Sequence, residues 1–189
     1  MGLSDEPLRV LVIDHHDSYT LNLLISITEA SKCTPSVVIL AHDHALLATI
    51  DSFRQHLLPH FDAIILGPGP GHPSNEEDFG PARRILSAVL EETIRIPILG
   101  ICLGHQGIAA ACGVKIIQAD SLRHGLSSTI SLSHLKSEEL AFSDLFDGIR
   151  RTSSDADLHV IRYNSLTVDE SSESQRLMWK VSSADCVLS

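Results

Sequence analysis

Residues 97–110, PILGICLGHQGIAA, decide how this chain is read. A short apolar run, Ile96–Ile101, passes directly into a segment with helical spacing, His105–Cys112, and the junction Gly100-Ile101-Cys102-Leu103-Gly104 has the form G-x-C-x-G. Small residues flanking the central position permit a tight strand-to-helix turn that stands its side chain out at the edge of a sheet. A thiolate placed there sits at a helix N-terminus, where the dipole and free N–H groups lower its pKa, and the N–H of Leu103 is placed to help hold an oxyanion. The same pentapeptide also describes a small core residue between two turn glycines, because free cysteine is among the most buried residue types. The surrounding sequence has to separate the two readings.

Working outward, short runs rich in β-branched residues recur: Leu8–Asp14, Ser36–Leu40, Asp62–Gly67, Ile96–Ile101 and Val114–Gln118. Between them lie stretches with helical periodicity, Tyr19–Ala30 (with Leu21, Leu24, Ile25 and Thr28 on one side), Ala45–Leu58, Pro81–Glu92 and His105–Cys112. This alternation predicts a three-layer α/β fold: a mostly parallel sheet with helices on both faces. Ligands of such sheets bind in the crevice at the carboxyl ends of the strands. Three loops there have unusual composition: DHHDSYT (14–20), GPGPGHPSNEEDFG (67–80) and CLGHQ (102–106). Beyond Gln118, SSTISL (127–132) and LHVIRYNSL (158–166) read as strands of an antiparallel extension, and the segment from Asp169 is Ser-rich and acidic with no firm period.

The length of 189 residues suits one globular domain. A balance of 14 Lys+Arg against 24 Asp+Glu, a formal net charge of −10, disfavours an electrostatic footprint for nucleic acid or an anionic membrane. Cys33, Cys102, Cys112 and Cys186 form no C-x-x-C pair, which suggests neither a zinc site nor a disulfide framework and fits a reducing, cytoplasmic setting. The opening MGLSDE has no charged and apolar leader pattern and lacks Ser or Thr at its sixth position, so neither a signal peptide nor myristoylation is read from it, and no later apolar run reaches membrane-spanning length.

Among the loops, GPGPGHP alternates Gly and Pro, which stiffens the backbone while leaving the N–H groups of Gly69 and Gly71 open to a ligand or oxyanion. It lacks the Lys-Ser/Thr ending of a phosphate-binding P-loop. The strand VIRYNSL by itself reads as an ordinary surface strand with polar residues at alternate positions. In DHHDSYT the paired histidines match no metal-ligand spacing, and Asp17 or Ser18 is the expected cap of the following helix; no metal and no cofactor is expected.

Together VLVIDHHDSYTLNL, DAIILGPGPGHP, IPILGICLGHQGIA, RHGLSSTI and VIRYNSL, in this order and spacing from Leu8 to Leu166, resemble the class I (triad-type) glutamine amidotransferase domains. The resemblance is to the glutaminase parts of chorismate-using enzymes: aminodeoxychorismate synthases of fungi and plants first, anthranilate synthase component II second. It implies a flavodoxin-like fold and a nucleophilic Cys102 that attacks the side-chain amide of glutamine, forms a glutamyl thioester and releases ammonia. It implies an oxyanion hole from the backbone N–H groups of Gly69 and Leu103. Glutamine would be bound by the backbone of Gly69, Pro70 and Gly71, the side chain of Gln106, and the backbone at Ser165 and Leu166. The implied partner is a chorismate-aminating domain or subunit, with no nucleic acid or membrane. Arg162-Tyr163-Asn164 departs from the family's usual Arg-Tyr-His but leaves Ser165-Leu166 intact.

The family's base and its orienting acid stand in a His-Pro-Glu element, which these 189 residues do not contain. His105, His124, His134 and His159 do not fall at the family's position for it. The expectation is therefore a domain over 1–168 that is incomplete at its C-terminal side and a poorly ordered or non-native tail over 169–189, leaving open whether the chain turns over glutamine or only binds it.

Overall fold

The computed structural model describes residues 7–31, 33–131, 157–169 and 186–187. Side chains are not described at 120–124, 130–131, 157–159 or 186–187, so those of His124 and His159 lie outside the described set, as do all of His134 and residues 170–185 of the expected tail.

Four parallel strands form the central sheet: β1 (Arg9–Asp14), β2 (Ser36–Ala41), β3 (Ala63–Leu66) and β4 (Ile98–Gly100), in the order β2-β1-β3-β4. Strands β2 and β3 flank β1 on opposite sides, with Val12 in register with both Ile39 and Ile65. The strand order thus reverses beside β1, and in such sheets ligands bind outside the carboxyl ends of the strands at that point.

Near-continuous apolar runs make these strands two-faced core elements. On one face Leu11, Ile13, Ile64 and Leu66 pack with Phe53 of α2 (Ile50–His56), with Phe79, Ala82, Ile85 and Leu86 of α3 (Glu76–Leu90), and with Leu103 of α4 (Leu103–Ala111). On the other, Val10, Val12 and Ile65 pack with Leu23 and Ile27 of α1 (Thr20–Ala30). Each fully buried Phe or Leu in these layers contributes roughly 1.5–3 kcal/mol of transfer free energy. Helices on both faces of a parallel sheet match the architecture expected from the β-α alternation.

Several local expectations are corrected. The stretch from Ala45 is broken into a short 3₁₀ turn (Ala45–Leu47), α2, and a second 3₁₀ turn (Leu58–His60), because Thr49 in extended conformation accepts a hydrogen bond from the Ser52 N–H and starts α2 afresh. Helix α3 begins before Pro81, at Glu76, where Asn75 caps the Glu77 N–H at 3.0 Å and three acidic residues occupy the first turn. In α1 the buried stripe is Thr20-Leu23-Ile27, while Leu21 and Ile25 are exposed. Both stripes are apolar, and the Thr20 hydroxyl, donating to Asp14 at 2.6 Å, sets which one turns to the sheet. Neither Asp17 nor Ser18 occupies the cap of α1; Tyr19 does, without a side-chain bond, while Asp17 accepts from the Tyr19 N–H at 2.7 Å.

The segment from Val114 joins a second, antiparallel sheet instead of the parallel one. Strand β5 runs unbroken over Ile116–Ser131 and pairs with β6 (Asp157–Val168), and β7 (Cys186–Val187) pairs with β6 on its other side. The root of this extension is fastened to α4 by Ala109, Val114 and Val168.

Candidate active site

Cys102 caps α4 at φ 51°, ψ −109°, a conformation that L-residues avoid because Cβ crowds the following carbonyl. Strain of this kind costs on the order of 1–3 kcal/mol and persists only where surrounding packing imposes it. Here the Ile101 N–H is held by the Leu66 carbonyl at 2.9 Å, and the Gln106 N–H by Cys102's own carbonyl at 2.9 Å, so the backbone is fixed on both sides of the turn. Gly100 permits the turn to close: a methyl there would stand 2.6 Å from the backbone of Gly104 and His105. Cys102 is half-buried, as is Cys112, while Cys33 is exposed.

The GPGPG loop leaves β3 next to this turn. The Gly67 N–H extends the sheet by donating to Ile13 at 2.9 Å. Gly69 lies close against both His15 and Leu103: a methyl on it would stand 2.4 Å from His15 Cβ and 3.2 Å from Leu103 Cδ2. The two residues expected to supply oxyanion donors are thus neighbours in space though 34 positions apart (103 − 69). Downstream, the His72 N–H donates to Asp78 of α3 at 2.8 Å, tying the far side of the loop to that helix.

Gln106, on the first turn of α4, is buried, and its Nε2 donates to the Leu166 carbonyl at 3.3 Å. The Asn164 Nδ2 donates to the same oxygen at 3.1 Å. Asn164 is 4 % exposed, and its Oδ1 has no hydrogen-bond partner. The structure brings the side chains of Gln106 and Asn164, the latter the departure from the family's usual Arg-Tyr-His, to the Leu166 carbonyl. Its signal in the sequence was only a polar residue in VIRYNSL, which also fits any surface strand. The β5–β6 register is interrupted at this point: Gln118 pairs with Leu166 and Arg123 with Asn164, so residues 119–122 bulge opposite Ser165. An interrupted ladder leaves Ser165 main-chain groups uncommitted to regular pairing, which suits the backbone role implied for it.

The histidines of DHHDSYT follow the carboxyl end of β1, His15 buried and His16 exposed. His15, 2 % exposed, stacks on Phe79 (ring centroids 4.9 Å apart) and on His42 (5.4 Å), and His16 meets His42 edge-on at 4.9 Å. Burial pushes the His15 imidazole down to about 4, with His42 acting in the same direction and the Gly67 backbone and Asp14 opposing. His42 is lowered too, first by burial and then by His16. Among the described residues no group of three or more His, Cys, Asp or Glu side chains is arranged to hold a metal ion. His105 lies buried within α4. No described helix is long and apolar enough to cross a membrane.

A cysteine at positive φ on a strand-to-helix turn, beside a glycine-proline loop on a parallel sheet between helices, is the arrangement this α/β domain is built around. The family model for class-I glutamine amidotransferases matches residues 11–188, and the chain belongs to this family. It is 36% identical over 163 residues to an aminodeoxychorismate synthase of Streptomyces griseus, covering 86% of this chain and 19% of that protein. It is 32% identical over 160 residues to an anthranilate synthase component 2 of Saccharolobus solfataricus, covering 85% of this chain and 71% of the relative. The chain spans about a fifth of the length of the aminodeoxychorismate synthases it matches. A glutamine amidotransferase structure from Thermotoga maritima superposes with a TM-score of 0.57 at 18% identity, covering 87% of this chain and 63% of that one, and agrees in fold.

Proposed function

We propose that this chain is the glutamine-handling domain of an aminodeoxychorismate synthase, acting in the cytoplasm without a cofactor. In this reading the Cys102 thiolate attacks the side-chain carbonyl carbon of glutamine. The negative charge that develops on the carbonyl oxygen is received by the N–H groups of Gly69 and Leu103, which offer stabilisation where charge forms and not in the ground state. Collapse of the tetrahedral adduct breaks the C–N bond, the nitrogen leaves as ammonia after taking up a proton, and a glutamyl thioester remains. Water then hydrolyses the thioester to glutamate and restores the thiol. The ammonia is used by a chorismate-aminating partner domain or subunit.

The observation that carries this reading is the positive φ of Cys102 with Gly69 packed against Leu103. The pocket side is supported by Gln106 and Asn164 converging on Leu166. The test is alkylation by a chloroketone analogue of glutamine, in which the thiolate displaces chloride. Cys102 is expected to react far faster than Cys33, Cys112 or Cys186, and glutamine is expected to protect it. Equal labelling of all four would overturn the reading.

A second reading is favoured by one observation: the 189 residues contain no His-Pro-Glu to supply the base and its orienting acid. In it the domain binds glutamine without turnover. Glutamine binding by calorimetry with no ammonia released supports it, and glutaminase activity lost on Cys102→Ser rules it out. Anthranilate synthase component II is the alternative within the family, supported by 32% identity over 160 residues to one such relative. Supplying the chain with the chorismate-binding part of each enzyme, and asking which product forms from glutamine, separates the two.

A further inference from the structure

We propose that Asp78 is a positioning residue: its carboxylate grips the Gly71–His72 end of the glycine-proline loop and fixes the direction in which the Gly69-Pro70-Gly71 backbone is offered to glutamine. The proposal rests on the glutamine-binding role that the reading above gives to that backbone.

Asp78 stands in the first turn of α3, next to Phe79, which is buried in the same core layer as Leu11, Ile13 and Leu66. The carboxylate is thus carried by an element that the sheet holds in place. Its Oδ2 accepts the His72 N–H at 2.8 Å. The same oxygen would stand 2.2 Å from a methyl on Gly71, so the carboxylate occupies the side of Gly71 on which any other residue would carry its Cβ. Gly71 is at φ 95°, a backbone conformation that glycine adopts at no steric cost. One side chain therefore secures two consecutive residues of the loop. The other bonds to His72 stay within the turn: its carbonyl accepts the Asn75 N–H at 2.9 Å, and its Nδ1 accepts the Ser74 N–H at 3.1 Å.

The opposite end of the loop is held without Asp78. The Gly67 N–H donates to Ile13, and Gly69 lies close against His15 and Leu103. Gly69, Pro70 and Gly71 thus bridge two separate anchorages, and the N–H groups of Gly69 and Gly71 have no acceptor among the described residues. A backbone fixed in advance binds its ligand without the cost of ordering it first. Releasing the Gly71 end removes that advantage, while the Gly69 and Leu103 donors beside Cys102 keep their own anchorage. The loss should therefore fall on affinity for glutamine and not on the reaction of what is bound.

The experiment compares the full chain as wild type, Asp78→Ala, Asp78→Asn and Glu77→Ala. The Asn variant keeps an oxygen for the His72 N–H and removes the charge. Glu77→Ala removes an equal charge from the same helical turn, where acidic residues favour the helix dipole, but from an exposed side chain. Alkylation of Cys102 by the glutamine chloroketone is followed against its concentration. In Asp78→Ala the concentration that gives half the limiting rate is expected to rise by about tenfold or more, with the limiting rate unchanged. Asp78→Asn and Glu77→Ala are expected to keep the wild-type value. Amide hydrogen exchange adds a readout in wild type itself: relative to an unstructured chain, the His72 amide is expected to be protected more than those of Gly69 and Gly71. That protection should vanish in Asp78→Ala and persist in Asp78→Asn. A wild-type half-saturating concentration in Asp78→Ala, an equal loss in Glu77→Ala, failure of Asp78→Asn to retain affinity, or an unprotected His72 amide in wild type would each overturn the proposal. Absence of saturable, glutamine-protected labelling in wild type would instead overturn the glutaminase reading, and exchange at His72 would still decide whether Asp78 holds the loop.

Discussion

A methyl group on Gly104 would stand 2.1 Å from the carbonyl oxygen of Leu66, so the first turn of α4 and the last residue of β3 touch backbone to backbone. Leu66 sits inside the parallel sheet and cannot retreat, and its carbonyl also holds the Ile101 N–H at 2.9 Å. Gly104→Ala is therefore expected to push α4 away from the sheet. The loss should be about 1–3 kcal/mol in urea unfolding, accompanied by a fall of at least about tenfold in selective Cys102 labelling.

Strain at Cys102 makes an opposite prediction. Glycine accepts φ 51° freely, so Cys102→Gly relieves the turn while giving back part of the gain as backbone entropy. The variant is expected to be more stable than wild type by about 1 kcal/mol and to release no ammonia. A lower urea midpoint than wild type would show that the elbow is not strained.

The pH dependence of stability follows from His15. Its imidazole is lowered from 6.5 to about 4 in the folded chain, so above 6.5 it is neutral in both states and costs nothing. As pH falls below 6.5 the unfolded chain takes up a proton that the folded chain refuses, and stability drops until pH reaches about 4, where the folded ring also protonates. The drop attributable to this residue is on the order of 3 kcal/mol, and His42 adds to it in the same direction. Urea titrations at pH 7 and pH 5 on wild type and His15→Phe measure it: the difference between the two pH values should shrink in the variant.

Gln106 and Asn164 donate to one oxygen, so removing either should leave that oxygen satisfied by the other. Gln106→Leu is expected to cost only about 1 kcal/mol in stability yet to weaken glutamine binding by about tenfold or more in calorimetry, since a buried amide built for a polar ligand discriminates strongly. Unchanged glutamine affinity would place Gln106 in a purely structural role.

Much of this molecule is written in local sequence. The β-branched runs, the G-x-C-x-G junction and the tandem Gly-Pro pairs each depend on interactions within a few residues, and the strands, the elbow and the rigid loop lie where those patterns put them. The bond from Gln106 to the Leu166 backbone was not legible, because it joins residues 60 positions apart on separate elements. The buried face of α1 was not legible: Leu21-Ile25 and Leu23-Ile27 are equally apolar, and a contact from Thr20 to Asp14 chooses between them. Nor was the departure of β5 into its own antiparallel sheet, since an apolar strand of that length fits either sheet.

The sequence by itself determined that a cysteine would stand on a strand-to-helix turn beside a glycine-proline loop, because turn chemistry and hydrophobic period act over short distances. Tertiary structure alone decided that Gly69 lies close against His15 and Leu103, and that His42, His15 and Phe79 stack into one pile that reaches Gly107. Those residues come from separate elements whose mutual positions are set by the packing of the whole sheet and its helices, which no local pattern encodes.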